Sequence, residues 1–405
     1  MAASSVPHLA VALEGAGWHP AAWREPEARS DELFSPAYWT DLVLEAQSAA
    51  LDFVTFEDSF SVATSQATTP VTATSLPDSD MPVRPDRVAG RLDAVLLAAR
   101  VAPRTRGIGI VPTATVTHTE PFHLSKAIAT LDYVTSGRAG WRVRVSASER
   151  EAAEFGRRDL HEPTNDLFDE AADYVDVVRR LWDSWEDDAE IRDTATGRFV
   201  DRDKLHYIDF EGRWFSVKGP SITSRPPQGQ PLVTALAHGS VGYRLAARAA
   251  DIVFATPNDV ERAGGIVAEV REEQAAAGRE GEGLHVFADL VVFLDTDPAR
   301  AADRRARLDQ LAGAPVSFDA PVFTGTPETL ADLLLEYHRA GLTGFRLRPG
   351  TIPHDLEAIT RGLVPELRRR GAFRHDYDAP TLRGLLGLAR PANRYAVASG
   401  SRTSR

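Results

Sequence analysis

Short runs of β-branched and aromatic residues recur along the whole chain, and longer helix-periodic stretches separate them. The runs His8–Leu13 (HLAVAL), 51–56 (LDFVTF), 108–111, 141–145 (WRVRV), Leu232–Leu236, 252–254, 286–293 (VFADLVVF) and 345–347 read as strands. Helical patterns fall at 36–50, 91–102, 123–134, 165–185, from Ser240 onward and at 356–370. In residues 165–185, Leu167, Phe168, Ala171, Ala172, Val175, Val178 and Leu181 share one face. Strands that alternate with helices in this way build parallel α/β sheets. About eight such units predict a closed (β/α)8 TIM barrel, with a doubly wound open sheet as the alternative.

No composition break divides the chain, so residues 1–405 read as one barrel domain with insertions. The Ser/Thr/Pro-rich stretch 61–86 and the charged, aperiodic stretch 187–227 are the insertion loops, and 374–405 is a polar tail. A net charge of −12 argues against nucleic-acid and anionic-membrane partners. With no cysteine, thiolate metal sites and thiol nucleophiles are excluded. No apolar run is long enough to span a bilayer, and the N-terminus lacks the pattern of a secretion signal, so the expected location is cytoplasmic.

No GxGxxG stands between a strand and a helix, no P-loop is present, and the eleven histidines form no metal-ligand cluster. No GxSxG elbow supports a serine hydrolase. Gly239 and Ser240 follow a strand and open a helix; either they cap the helix or their backbone N–H groups hold a phosphate. Arginines alternate with apolar residues in two strands, as Arg142 and Arg144, and as Arg346 and Arg348. In a barrel the apolar set, Trp141, Val143, Val145, Phe345 and Leu347, should face the helices, which turns the arginines inward. Buried guanidinium groups require carboxylates or an anionic ligand. Glu57 and Asp58 are the expected partners, and an internal ion-pair network and an anion-binding mouth both stay open.

The segment EPFHLSKAIATLDYVTSGRAGW (residues 120–141) resembles the signature of bacterial luciferase-like flavin monooxygenases of the nitrilotriacetate and dibenzothiophene-sulfone branch. LWDSWEDDA (181–189), FEGRWFSVKGP (210–220), PPQGQPLV (226–233), VPELRRRGAFRHDY (364–377) and LGLARPANRYA (386–396) extend the resemblance in order along nearly the whole chain. It implies a TIM barrel that receives reduced FMN from a separate flavin reductase and uses O2 to oxidise a small molecule, as a homodimer or homotetramer.

Carried over by position, the resemblance implies flavin contacts at Asp58, Thr113, Thr115, Arg142, Phe168, Gly239 and Ser240. His118 is the candidate for handling a proton or orienting substrate. Glu120, Arg144, Arg346 and Arg348 are candidates for contacting substrate or an anion. Three positions depart from the family pattern: Arg142 replaces an asparagine, Phe168 replaces a phosphate-binding tyrosine, and the phosphate-loop serine falls one residue late, at Ser240 after Gly239. The leading expectation is an FMN-dependent monooxygenase with a rearranged phosphate grip. The alternatives are a deazaflavin-dependent oxidoreductase and a non-catalytic barrel that has lost flavin.

Overall fold

The structure is a computed structural model and describes residues 6–62, 85–158 and 164–396. Eight parallel strands close on themselves: β1 (His8–Leu13), β2 (Phe53–Phe56), β3 (Gly109–Thr115), β4 (Gly140–Arg144), β5 (Leu232–Leu236), β6 (Ile252–Ala255), β7 (His285–Leu294) and β8 (Gly344–Pro349). β6 pairs with β7 and β8 with β1, which makes the ring a barrel and excludes the open sheet. The main helices are α1 (Pro36–Ser48), α2 (Ala94–Val101), α3 (Pro121–Thr135), α4 (Glu149–Phe155), α5 (Thr164–Asp183), α6 (Ser240–Ala249), α7 (Val260–Ala276), α8 (Pro298–Ala312) and α9 (Pro327–Arg339), and β8 is followed by the consecutive helical segments His354–Ala358, Ile359–Leu363 and Val364–Arg369, where the sequence predicts a helix over 356–370. Trp141, Val143, Phe345 and Leu347 are buried in the core between the barrel wall and these helices, as their alternation requires.

The strand β7 has ten residues and two neighbours on one edge. Its first half pairs with β6, and its second half pairs with an extra strand, Val322–Gly325, that lies outside the ring. That strand is absent from the sequence reading, as are the helices α7 to α9. Their starts carry ordinary N-cap signals: Asp259, Asp297 and Thr326 each accept a backbone N–H of the following first turn. The insertion 187–227 contains two short antiparallel ribbons, Glu190–Asp193 with Arg198–Val200 and Phe210–Glu211 with Ser216–Val217. Most of the other insertion, 61–86, lies outside the described residues, as does the end of the tail, 397–405.

The described part of the segment read as a polar tail is packed against the barrel. Leu382, Leu386 and Leu388 form one buried cluster with Phe53, Phe254 and Phe287 at the barrel floor. Gly344 makes room there, since a Cβ on it would stand 2.5 Å from the Phe287 ring and 2.9 Å from the His8 carbonyl oxygen. The His285 Nε2–H donates to the Leu386 carbonyl at 2.9 Å, while its Nδ1 is buried without a partner. Burial, reinforced by His8, pushes the His285 imidazole down to about 4.

Two outcomes are expected. Gly344→Ala forces the Phe287 ring aside and costs about 1–3 kcal/mol, read from urea unfolding. The unfolded chain takes up a proton on His285 near its ordinary 6.5 and the folded chain only near 4, so stability rises with pH across that window. The difference is about 3 kcal/mol. Unfolding of His285→Leu at several pH values should show a shallower slope between pH 4 and 6.5.

Candidate active site

Above the apolar floor the inward positions of the barrel turn polar and charged. On β4, the Arg142 Nε–H donates to Thr113 Oγ1 of β3 at 2.9 Å, and its terminal nitrogen pairs with Glu57, just past β2. Arg346 on β8 also reaches Glu57, at 3.1 Å, and is bound through two nitrogens to Asp289 of β7 at 2.9 and 2.6 Å. Arg348, one step higher, pairs with Asp289 and donates to Asp319 at 2.6 Å. Three guanidinium groups therefore meet three carboxylates in a continuous ladder across the lumen. The cations also lie against rings, Arg346 over Phe254 at 4.4 Å and Arg348 over Trp18 at 4.3 Å.

Arg346, Arg348 and Asp289 are inaccessible to solvent. Burial raises the Asp289 carboxyl, but Arg346 and Arg348 outweigh it and hold it below the ordinary carboxylate range. Burial lowers the Arg142 guanidinium to about 10, against the pull of Glu57, so it stays cationic at neutral pH. At the far end Asp319 lies 3.4 Å from His238 Nε2, and His238 Nδ1 lies 3.2 Å from the Thr256 hydroxyl.

Two further groups line the rim. Arg144 pairs with Glu151 of α4 through both terminal nitrogens, at 2.7 and 2.9 Å, and donates to Thr115 at 2.9 Å. His118 is buried beside this pair, stacked on Phe155 at 5.3 Å, with Phe60 edge-on to Phe155 at 4.8 Å. Its Nε2 has no partner, and burial lowers its pKa from the ordinary value, which favours the neutral ring. On the opposite side, a small, shallow cleft between α5 and α6 is lined by Asn165, Phe168, Asp169, Val241, Arg244 and Arg248. Gly239 is the N-cap of α6 and supplies no side chain to accept the helix's first N–H groups. A Cβ on Gly239 would meet nothing within 4 Å. Arg248 is held by Asp169 at 2.8 Å.

The structure therefore brings Thr113, Thr115, Arg142, Arg144, Arg346 and Arg348 together at the lumen. It places Phe168 beside the helix that Gly239 and Ser240 open. Two expected residues lie elsewhere. Asp58 is no partner of the arginines: it accepts the backbone N–H of Ala94 at 2.9 Å and of Ser59 at 2.8 Å, and burial pushes its carboxyl up to about 6. Glu120 is exposed and paired with Arg157 at 2.7 Å. Asp289, Asp319, Glu151 and His238 are missing from the sequence reading. Asp289 was detectable as the one charged residue in the apolar run 286–294. Among the described residues, no group of three or more His, Cys, Asp or Glu side chains is placed to hold a metal, and no helix is long and apolar enough to cross a membrane.

A family model described as luciferase-like monooxygenase matches residues 16–321. The chain is 31% identical to N-acetyl-S-(2-succino)cysteine monooxygenase of Bacillus subtilis, over 96% of this chain and 98% of that protein. It is 30% identical to nitrilotriacetate monooxygenase component A of Aminobacter aminovorans, over 98% and 100%. A riboflavin lyase solved with modified FMN and riboflavin matches with a TM-score of 0.82 and 25% identity, covering 96% of this chain and 98% of that one.

The ladder makes a sharp contrast between positions. Asp289→Asn leaves Arg346 and Arg348 short of a buried counter-charge and should cost about 3–5 kcal/mol in urea unfolding. Glu120→Gln, which loses only an exposed pair, should change stability by less than about 0.5 kcal/mol.

Proposed function

The chain belongs to the luciferase-like monooxygenase family, and from that membership we propose that it is a two-component, FMN-dependent monooxygenase that oxidises a small organic molecule with O2. The proposal includes a separate flavin reductase as partner, a homodimeric or homotetrameric assembly and a cytoplasmic location. The wording "component A" in the name of the nitrilotriacetate relative supports the two-component reading.

The observation that carries the proposal is the start of α6. An uncapped helix start with open space at Gly239, with Arg244 one turn into the helix, has the chemistry of a phosphate site. The first backbone N–H groups of α6 would receive the phosphate oxygens. Phe168, beside Val241 of the first turn, contributes a wall without a hydroxyl.

At the lumen, Thr113 and Thr115 already accept from Arg142 and Arg144, which leaves each hydroxyl proton available to donate toward the mouth. The donors are locked in place by Glu57 and Glu151, so presenting them to a ring costs little reordering. Reduced flavin, when bound, supplies the electrons that activate O2. His118, kept neutral by burial, can take a proton from substrate or orient it, and Phe155 and Phe60 keep water from that face.

Anaerobic titration with reduced and oxidised FMN tests this reading. Binding of reduced FMN at tens of micromolar or tighter is expected; its absence overturns the proposal, and preference for a deazaflavin replaces the cofactor. Gly239→Asp is the diagnostic variant. Aspartate is a good N-cap and meets no obstruction, so thermal stability should hold or rise. Its carboxylate would repel the phosphate, and reduced FMN should bind at least about tenfold more weakly.

A further inference from the structure

A second cavity opens at the C-terminal ends of β1 and β2, between the loop after β1 and the starts of α1 and α2. It encloses about 810 Å³ of atom-free space, part of it open to solvent. Barrel active sites occupy this end. Trp18, Trp23 and Trp39 form its walls. All three indole N–H groups are spent on protein carbonyls, those of Ala12 at 3.3 Å, Asp86 at 3.0 Å and Leu33 at 2.9 Å. The three indoles therefore offer carbon faces and no donor to a ligand.

The charged and polar lining is Glu14, His19, Glu57, Arg87 and Arg91. Glu57 lies at the lining, but it is already engaged by both Arg142 and Arg346. Arg91 is different. Its Nε is buried with no acceptor among the described residues, and its ion pair with Glu14 is long, at 3.5 Å. A guanidinium edge with an unfilled N–H beside aromatic walls is suited to a planar, two-oxygen anion attached to a flat apolar body. The wall is also fixed in advance. Gly17, at φ +130°, presses the loop after β1 against the loop after β8, where a Cβ would stand 2.6 Å from the Gly350 carbonyl oxygen.

We propose that this cavity is the substrate pocket and that it takes an aromatic or similarly flat molecule bearing a carboxylate or sulfonate, with Arg91 gripping the anion. The assignment of this ligand as the substrate rests on the monooxygenase reading; its binding does not.

Calorimetric titration of the full-length protein with 2-naphthoate and with neutral 2-naphthalenemethanol tests the proposal, without flavin and again with saturating reduced FMN under anaerobic conditions. Naphthoate should bind in both states. Arg91→Gln should weaken naphthoate by about tenfold or more and the alcohol by less than about twofold. Arg91→Lys should recover part of the loss, and Trp23→Ala should weaken both probes. No binding of naphthoate, equal binding to Arg91→Gln, or competition by FMN for the same site overturns the assignment. Reduced FMN bound without naphthoate sinks the pocket alone. Naphthoate bound without any FMN binding upholds the anion pocket while removing the flavin reading.

Discussion

The Arg346–Asp289–Arg348 contact is the constraint that the centre of this barrel is built around. Two guanidinium groups and one carboxylate, all cut off from solvent, are tolerable only together, because each alone would carry a desolvation cost of several kcal/mol. Glu57 and Arg142 extend the chain to β2 and β4, and Asp319 closes it on the other side. Strands far apart in sequence are thereby tied to one register by charge as well as by backbone pairing. The apolar floor below, where Phe53, Phe254 and Phe287 meet leucines of the C-terminal segment, supplies the dry base on which the ladder stands.

This arrangement divides labour at the mouth. The lumen arginines are neutralised internally and serve as scaffold. The cations that stand at clefts, Arg91 on one side and Arg244 and Arg248 on the other, come from helices and loops around the rim. A fixed interior with variable rim chemistry is how one barrel architecture serves many small-molecule reactions.

Much of this was legible in the residues. The alternation in WRVRV and FRLR places Trp141, Val143, Phe345 and Leu347 outward and their arginines inward, and the structure agrees. Glu57 was legible as a partner, but Asp58 was paired with it only by adjacency. Consecutive residues at a strand end point to opposite faces, so both could not enter the lumen. Asp289 stands within the strand run VFADLVVF, where the alternation of a strand buried on both faces does not single it out. The floor leucines were hidden by the glycine, proline and arginine around them, because a short plug has neither the period of a helix nor that of a strand. At Phe168, which departs from the family pattern, single-residue carry-over could not foresee that Arg244 and Arg248 line the same cleft.

The double pairing of β7 has a consequence for how such a protein can change. The ring is complete through β6, β7 and β8, and Val322–Gly325 is attached to it from outside. The stretch that delivers Asp319 to Arg348 is thus an appendage to a finished wall. Its length and sequence can be rewritten without reopening the barrel, so the terminal charge of the ladder is an exchangeable part. In lineages built on this frame, that appendage is a natural place for the electrical character of the mouth to be reset while the architecture stays the same.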